Sequence, residues 1–190
     1  METKLPIALS NRHIHLGQED LDILFGKGYK LTKAKDLSQP GQYACEERVD
    51  IVGPKRIIKG LRVLGPTRSR TQVELSISDA FTLGVVPVVR NSGDVEGTPG
   101  AKIIGPKGEI DLKDGLIIAA RHIHMHTSDG EKFGVKDGDM VKIKTQGIRG
   151  IVFENVLIRI GEKFALEMHV DIEEGNAAGV KNGDMVEIVR

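Results

Sequence analysis

Four of the six histidines in this 190-residue chain sit in two copies of one phrase, Asn11-Arg12-His13-Ile14-His15-Leu16 and Ala120-Arg121-His122-Ile123-His124-Met125. Successive side chains of an extended strand point to opposite faces, so histidines two apart share a face. Each His-x-His pair is therefore a half-site for zinc or a similar ion, because neutral imidazole is a common ligand. Ile14 and Ile123 would point the other way, into an apolar layer. A single such pair has a plain alternative, two hydrogen-bonded core histidines. Two copies with the same flanking arginine and isoleucine favour metal, and they predict one composite centre between two related halves.

A second stretch carries groups that suit such a centre. From Arg68 to Ile77 (Arg-Ser-Arg-Thr-Gln-Val-Glu-Leu-Ser-Ile) polar and apolar residues alternate. If extended, it places Arg68, Arg70, Gln72 and Glu74 on one face and Val73, Leu75 and Ile77 on the other. A carboxylate can complete a histidine metal site, and an arginine beside it suits bidentate phosphate recognition. The plainer reading is a solvated strand face with exposed ion pairs. Phe164 to Ile172 alternates too, with Phe164, Leu166, Met168, Val170 and Ile172 apolar and Glu167, His169 and Asp171 opposite. His169 gains meaning only as a third ligand to His122 and His124. His126 reads as a bystander where the strand turns, and Cys45 as a small buried hydrophobe.

The elements that must position these groups are short. Leu5 to Leu9 predicts a strand running toward the first histidine pair. Gln18 to Phe25, acidic in its first turn and stopped by Gly26, predicts a short helix. Gly53-Pro54, Gly65-Pro66 and Gly105-Pro106 punctuate the middle, around β-branched runs at Val49 to Val52, Ile57 to Leu64 and Val85 to Val89. Short strands with regular turn signals indicate a barrel or sandwich. The last third holds a further repeat. Gly134-Val135-Lys136-Asp137-Gly138-Asp139-Met140-Val141-Lys142-Ile143 recurs as Gly179-Val180-Lys181-Asn182-Gly183-Asp184-Met185-Val186-Glu187-Ile188. Each copy reads as a Gly-Asp turn followed by an alternating strand, as in two halves of one small barrel. Asp171 and Gly179 bracket another short helix.

Composition narrows the field. Lysine plus arginine (27) equals aspartate plus glutamate (27), so no global basic field points to nucleic acid. Aromatic residues make up 4% with no tryptophan, a poor basis for base stacking. One cysteine permits no intrachain disulfide and fits a reducing compartment. No stretch has transmembrane length.

Taken with Gln39-Pro40-Gly41-Gln42-Tyr43-Ala44, Gly53-Pro54-Lys55, Leu64-Gly65-Pro66, Pro99-Gly100 and Glu167-Met168-His169, the histidine phrases make the chain resemble the PduL-type phosphate propanoyltransferases (phosphotransacylases) over nearly its whole length. The resemblance implies a mainly β fold of two packed β-barrels capped by short α-helices, the N-terminal strand joining the C-terminal barrel. It implies a central domain over 12–119 and a discontinuous one over 1–11 and 120–190. It implies two zinc ions per chain on His13, His15, Glu74, His122, His124 and His169. Arg68 would be the catalytic, phosphate-binding residue. Coenzyme A, a substrate or product, would contact Ala8, Leu9, Ser10, Lys55, Arg62 and Asn176. Gly175 stands where the family usually has alanine, and His126 where a small polar residue is expected. The resemblance also implies a homodimer, and the short lead into the first strand an unencapsulated, cytoplasmic member without membrane or nucleic-acid partners.

The expected reaction is interconversion of a short acyl-CoA (propanoyl or acetyl) plus phosphate with acyl phosphate plus coenzyme A. No Ser-His-Asp or Cys-His arrangement is evident, which predicts direct attack by phosphate. Two rivals share the same residues: a dizinc hydrolase using a metal-bound hydroxide, and a non-catalytic metal-binding barrel module.

Overall fold

The computed structural model describes residues 3–189. The chain divides into two compact units, a central one of Asn11–Ala119 and a terminal one that joins the segment up to Ser10 with the chain from Ala120 onward. The first strand, β1 (Lys4–Ser10), belongs to the terminal unit. The central unit holds β2 (His13–Gly17), α1 (Gln18–Phe25), β3 (Lys33–Asp36), β4 (Tyr43–Val52), β5 (Ile57–Arg68), β6 (Gln72–Glu74), α2 (Ile77–Leu83), β7 (Val89–Arg90), β8 (Ala101–Ile104), β9 (Glu109–Leu112) and β10 (Leu116–Ala119). The terminal unit resumes with β11 (His122–Met125), α3 (Thr127–Phe133), β12 (Met140–Lys144), β13 (Val152–Ile160), β14 (Glu167–Asp171), α4 (Ile172–Ala178) and β15 (Met185–Val189). The fold is mainly β, as expected. Among the described residues, no helix is long and apolar enough to cross a membrane.

The terminal unit is a closed barrel in the order β1-β14-β11-β13-β12-β15. The N-terminal strand completes it, parallel to β14 with Ile7 beside Met168, and antiparallel to β15. The repeated Gly-Asp phrase builds matching turns. The Lys136 amide donates to Asp139 Oδ2 and the Lys181 amide to Asp184 Oδ2, each at 2.8 Å. Gly138 and Gly183 supply the left-handed backbone, at φ 85° and 87°. Leu5, Ile7, Ile123, Met125, Ile158 and Met168 fill the interior, each fully buried.

The central unit is a nine-stranded sheet, a half-barrel in the order β7-β10-β6-β2-β5-β4-β8-β9, with β3 paired to β4. Its core includes Ile14, Leu16, Leu24, Ile51, Val63, Val73 and Ile103.

Three sequence expectations yield to stronger local signals. The Arg68–Ile77 run is not one strand. β5 ends at Arg68 and β6 covers only Gln72–Glu74. The Ser76 side chain accepts from the Asp79 amide and Asp79 reaches back to the Ser76 amide, a capping box that starts α2. Ile77 thus opens a helix, 42% exposed, instead of facing the core. Likewise the Phe164–Ile172 alternation is strand only over Glu167–Asp171, where Met168 and Val170 are buried, and Asp171 caps α4 through Glu174. Of the Val85–Val89 run, only Val89 enters a strand.

Candidate metal centres

The six expected ligands fall into two groups, His13 with His15 and Glu74 in the central unit, and His122 with His124 and His169 in the terminal unit. Within each group one potential ligand atom per residue lies within 4.8 Å of the others. Register explains how. β2 runs antiparallel to β6, setting His13 opposite Glu74 and His15 opposite Gln72. β11 runs antiparallel to β14, setting His122 opposite His169 and His124 opposite Glu167. Directly opposed side chains of antiparallel strands are near neighbours on one face. Ile14 and Ile123 are fully buried on the other face, as alternation requires.

The orientation of the rings suits metal. His13 Nδ1 lies 2.8 Å from the Asn11 carbonyl oxygen, and His122 Nδ1 lies 2.9 Å from that of Ala120. A backbone acceptor on Nδ1 fixes the tautomer and leaves Nε2 to face the group, as metal-binding histidines commonly do. His13 Nε2 lies 3.5 Å from Glu74 Oε2. In the terminal group the His122 and His169 rings stack with centroids 5.1 Å apart, and Phe164 stacks on His124 at 4.2 Å. Donor types and spacing fit zinc in both groups, N/N/O in one and N/N/N in the other.

Charge in the central group is tightly coupled. Burial pushes the His15 imidazole down to about 3, reinforced by the charges of His13 and Arg68. Burial also acts to lower His13, but the Glu74 carboxylate outweighs it and holds His13 above its ordinary value. Burial opposes ionisation of Glu74; His13, His15 and Arg68 prevail and hold its carboxyl far below the usual range. Glu74 is thus ready to coordinate as an anion.

Arg68 reaches this group by a route the sequence pattern did not indicate. It sits on β5, the other neighbour of β2, and its Nη1 donates to Ser92 Oγ at 3.2 Å. Ser92 Oγ donates in turn to Glu74 Oε1 at 3.0 Å. Gln72 Nε2 donates to the same carboxylate oxygen at 2.7 Å and to Ser92 Oγ at 2.8 Å, while Gln72 Oε1 accepts from the Gly93 amide at 2.7 Å. Arg70 does not join this strip. It pairs with Asp114 at 2.7 Å. Ser92 lies in a turn with no periodicity around it, so nothing in the sequence marks it.

The remaining expected residues have defined places. Ala8 is level with His169 across the parallel β1–β14 pair, Leu9 with Val170 and Ser10 with Asp171. Asn176 is exposed on α4. Next to it, Gly175 has a structural reason. An added Cβ would lie 2.3 Å from Leu9 Cδ2, so glycine lets Leu9 press against the helix. Arg62 is level with His13 on β5 and donates to the Cys45 carbonyl. Lys55 is exposed, and its stem lies over Gly84 at the end of α2. His126 belongs to neither group and caps α3 by accepting from the Ser128 amide. Cys45 is fully buried; desolvation first, then Glu47, pushes its thiol up to about 11.

Comparison with known proteins gives a consistent family. Residues 6–181 match the model of the phosphate propanoyltransferase family. A phosphate propanoyltransferase of Thermotoga maritima is 58% identical over 167 residues, covering 87% of this chain and 80% of that protein. Proteins of the same name from Clostridioides difficile (52% identical; 88% and 80% covered) and Listeria monocytogenes (48%; 88% and 79%) are also similar.

Proposed function

The chain belongs to the phosphate propanoyltransferase family, a family of acyltransferases, and from that membership we propose that it interconverts a short-chain acyl-CoA and phosphate with acyl phosphate and coenzyme A at a two-zinc centre. The observation that carries this reading is the pair of ligand groups, His13-His15-Glu74 and His122-His124-His169, each suited to one zinc ion. Bound there, zinc supplies Lewis-acid polarisation of the thioester carbonyl and a counter-charge for the departing thiolate.

The chain's own residues supply the rest. Arg68, steadied by Ser92, presents a guanidinium fork that matches a phosphate dianion and orients it for attack on the carbonyl carbon. A phosphate oxygen bonds to that carbon, the carbon–sulfur bond breaks, and coenzyme A leaves. Cys45 is buried with a raised thiol pKa and does not serve as an acyl carrier, so transfer is direct. Lys55 and Arg62 provide cations for the coenzyme's phosphates, and Ala8, Leu9, Ser10 and Asn176 complete its contacts. The protein acts as a homodimer in the cytoplasm.

The test is release of coenzyme A from propanoyl-CoA. Release should require phosphate, with acyl phosphate accumulating. It should stop on chelation and return with zinc, and Arg68→Ala should lose saturation by phosphate. Release independent of phosphate would mean hydrolysis instead.

A further inference from the structure

The buried hydroxyl of Thr71 belongs to neither ligand group, yet it ties the segment carrying Arg68 to the first turn of α1. In each unit the histidine strand runs straight into a helix, and the two junctions match position by position. Gly17 precedes α1 with Asp20 third in the helix, and His126 precedes α3 with Asp129 third. The backbone at the two junctions is nearly the same, φ −70° and ψ 155° at Gly17, φ −70° and ψ 156° at His126. His126 caps its own helix, and Asp129 returns a bond to the His126 amide. Asp79 in α2 and Glu174 in α4 likewise bond the amide that precedes their helices. Gly17 has no side chain to cap with.

For α1 the link comes from 54 residues away. Thr71 Oγ1 accepts from the Gly17 amide at 2.9 Å and donates to the Asp20 carboxylate. It relays the amide to the acid that the other helices connect directly. A local cap is not sterically barred, since a Cβ on Gly17 would meet nothing closer than 3.6 Å. The borrowed one has a second effect. Thr71, 4% exposed, stands between Arg68, level with Gly17, and Gln72, which lies opposite His15 and donates to Glu74. Between Arg68 and Thr71 the chain bends through exposed Ser69 and Arg70. The hydroxyl therefore clamps this bend against the end of the histidine strand.

We propose that Thr71, held by Asp20, is a positioning residue that fixes the Arg68 guanidinium beside His13, His15 and Glu74. This rests on the phosphate-binding role proposed above for Arg68. The test measures coenzyme A release from propanoyl-CoA by full-length, zinc-loaded protein, together with its melting temperature with and without phosphate. Thr71→Ala should raise KM for phosphate at least about 5-fold, since a 1 Å misplacement can cost about 100-fold, and should raise KM for the acyl-CoA less. The rise in melting temperature that phosphate produces, a readout free of turnover, should need correspondingly more phosphate. Thr71→Ser should behave as wild type. Adding Gly17→Ser to Thr71→Ala supplies α1 with a cap of its own, and should recover the melting temperature while KM for phosphate stays raised. Recovery of that KM in the recapped variant, an unchanged KM in Thr71→Ala, or an equal rise in both KM values would make Thr71 a helix cap alone and overturn the proposal. Wild-type release that does not depend on phosphate refutes the role of Arg68 itself, and the proposal with it.

Discussion

Ser92→Ala isolates the link between Arg68 and the central metal group. The hydroxyl accepts from Arg68 and Gln72 and donates to Glu74, so one atom joins the proposed phosphate anchor to a candidate metal ligand. A hydrogen bond to a charged group contributes about 1.5–3 kcal/mol. Glu74 Oε1 keeps its bond from Gln72 and the site is half-buried, so its loss belongs at the lower end, about 1.5 kcal/mol. Arg68 can turn to water and loses about 0.5 kcal/mol. The sum, about 2 kcal/mol, lowers the melting temperature of metal-stripped protein by roughly 4–8 °C at this chain length. Function should fall through a different quantity: KM for phosphate rises several-fold and more than KM for the acyl-CoA, since Ser92 bonds Arg68 and Glu74 and none of the residues proposed to contact the coenzyme. A double-mutant cycle with Arg68→Lys should give a coupling of at least about 0.5 kcal/mol for phosphate binding. Wild-type stability together with an unchanged phosphate KM would refute the bridge, and additivity in the cycle would show that Arg68 does not depend on it.

Stripping metal with a chelator should lower stability by about 2.7 kcal/mol for each site otherwise at 100 times its dissociation constant, recovered on adding zinc and measurable by thermal melting. Glu47 should give an acid-labile contribution. Burial acts to raise its carboxyl, but the Thr32 amide and the Tyr29 hydroxyl, both 2.9 Å from Oε1, hold it below its ordinary value. A depressed folded pKa stabilises above the unfolded value of about 4.3 and is lost as pH falls through the folded one. Glu47→Gln should therefore be less stable than wild type at pH 7 and converge with it in acid, as read by urea unfolding at each pH. Gly175→Ala should gain about 1 kcal/mol of helix propensity and lose about 1–3 kcal/mol by displacing Leu9. The net loss should come with a higher KM for the acyl-CoA and an unchanged one for phosphate.

The histidine pairs of the two candidate metal groups were legible because they obey the strongest sequence rule, period two on a strand, and because that phrase is written twice. The same rule misread the stretches after Arg68 and before Ile172. There, Ser76 with Asp79 and Asp171 with Glu174 satisfy helix amides that a continued strand would leave to other partners. Alternation says nothing of where a strand stops. The Gly-Asp turns were legible from the glycines that their positive φ demands. Ser92 and the bracing of Glu74 by Gln72 were not, since each depends on which strands become neighbours, and strand order is set by long-range pairing that no local pattern records.

The arginine that precedes each histidine pair shows what the repeated phrase is for. Arg12 pairs with Asp79, and Arg121 Nε lies 3.1 Å from Glu174 Oε1 while its guanidinium also lies 5.3 Å over the Phe153 ring. Both acids hold the same place, third in a capped helix that follows the partner strand, β6 in one unit and β14 in the other. The acid therefore does two jobs, returning a bond to the helix-capping amide and receiving the arginine of the histidine strand. The backbone carbonyl just before each arginine is the acceptor for the first histidine's Nδ1. A shift of either histidine strand against its partner would break the ion pair, disturb the cap and misalign the imidazole together. Arginine and histidine recur as one phrase because the first fixes the register in which the second can bind.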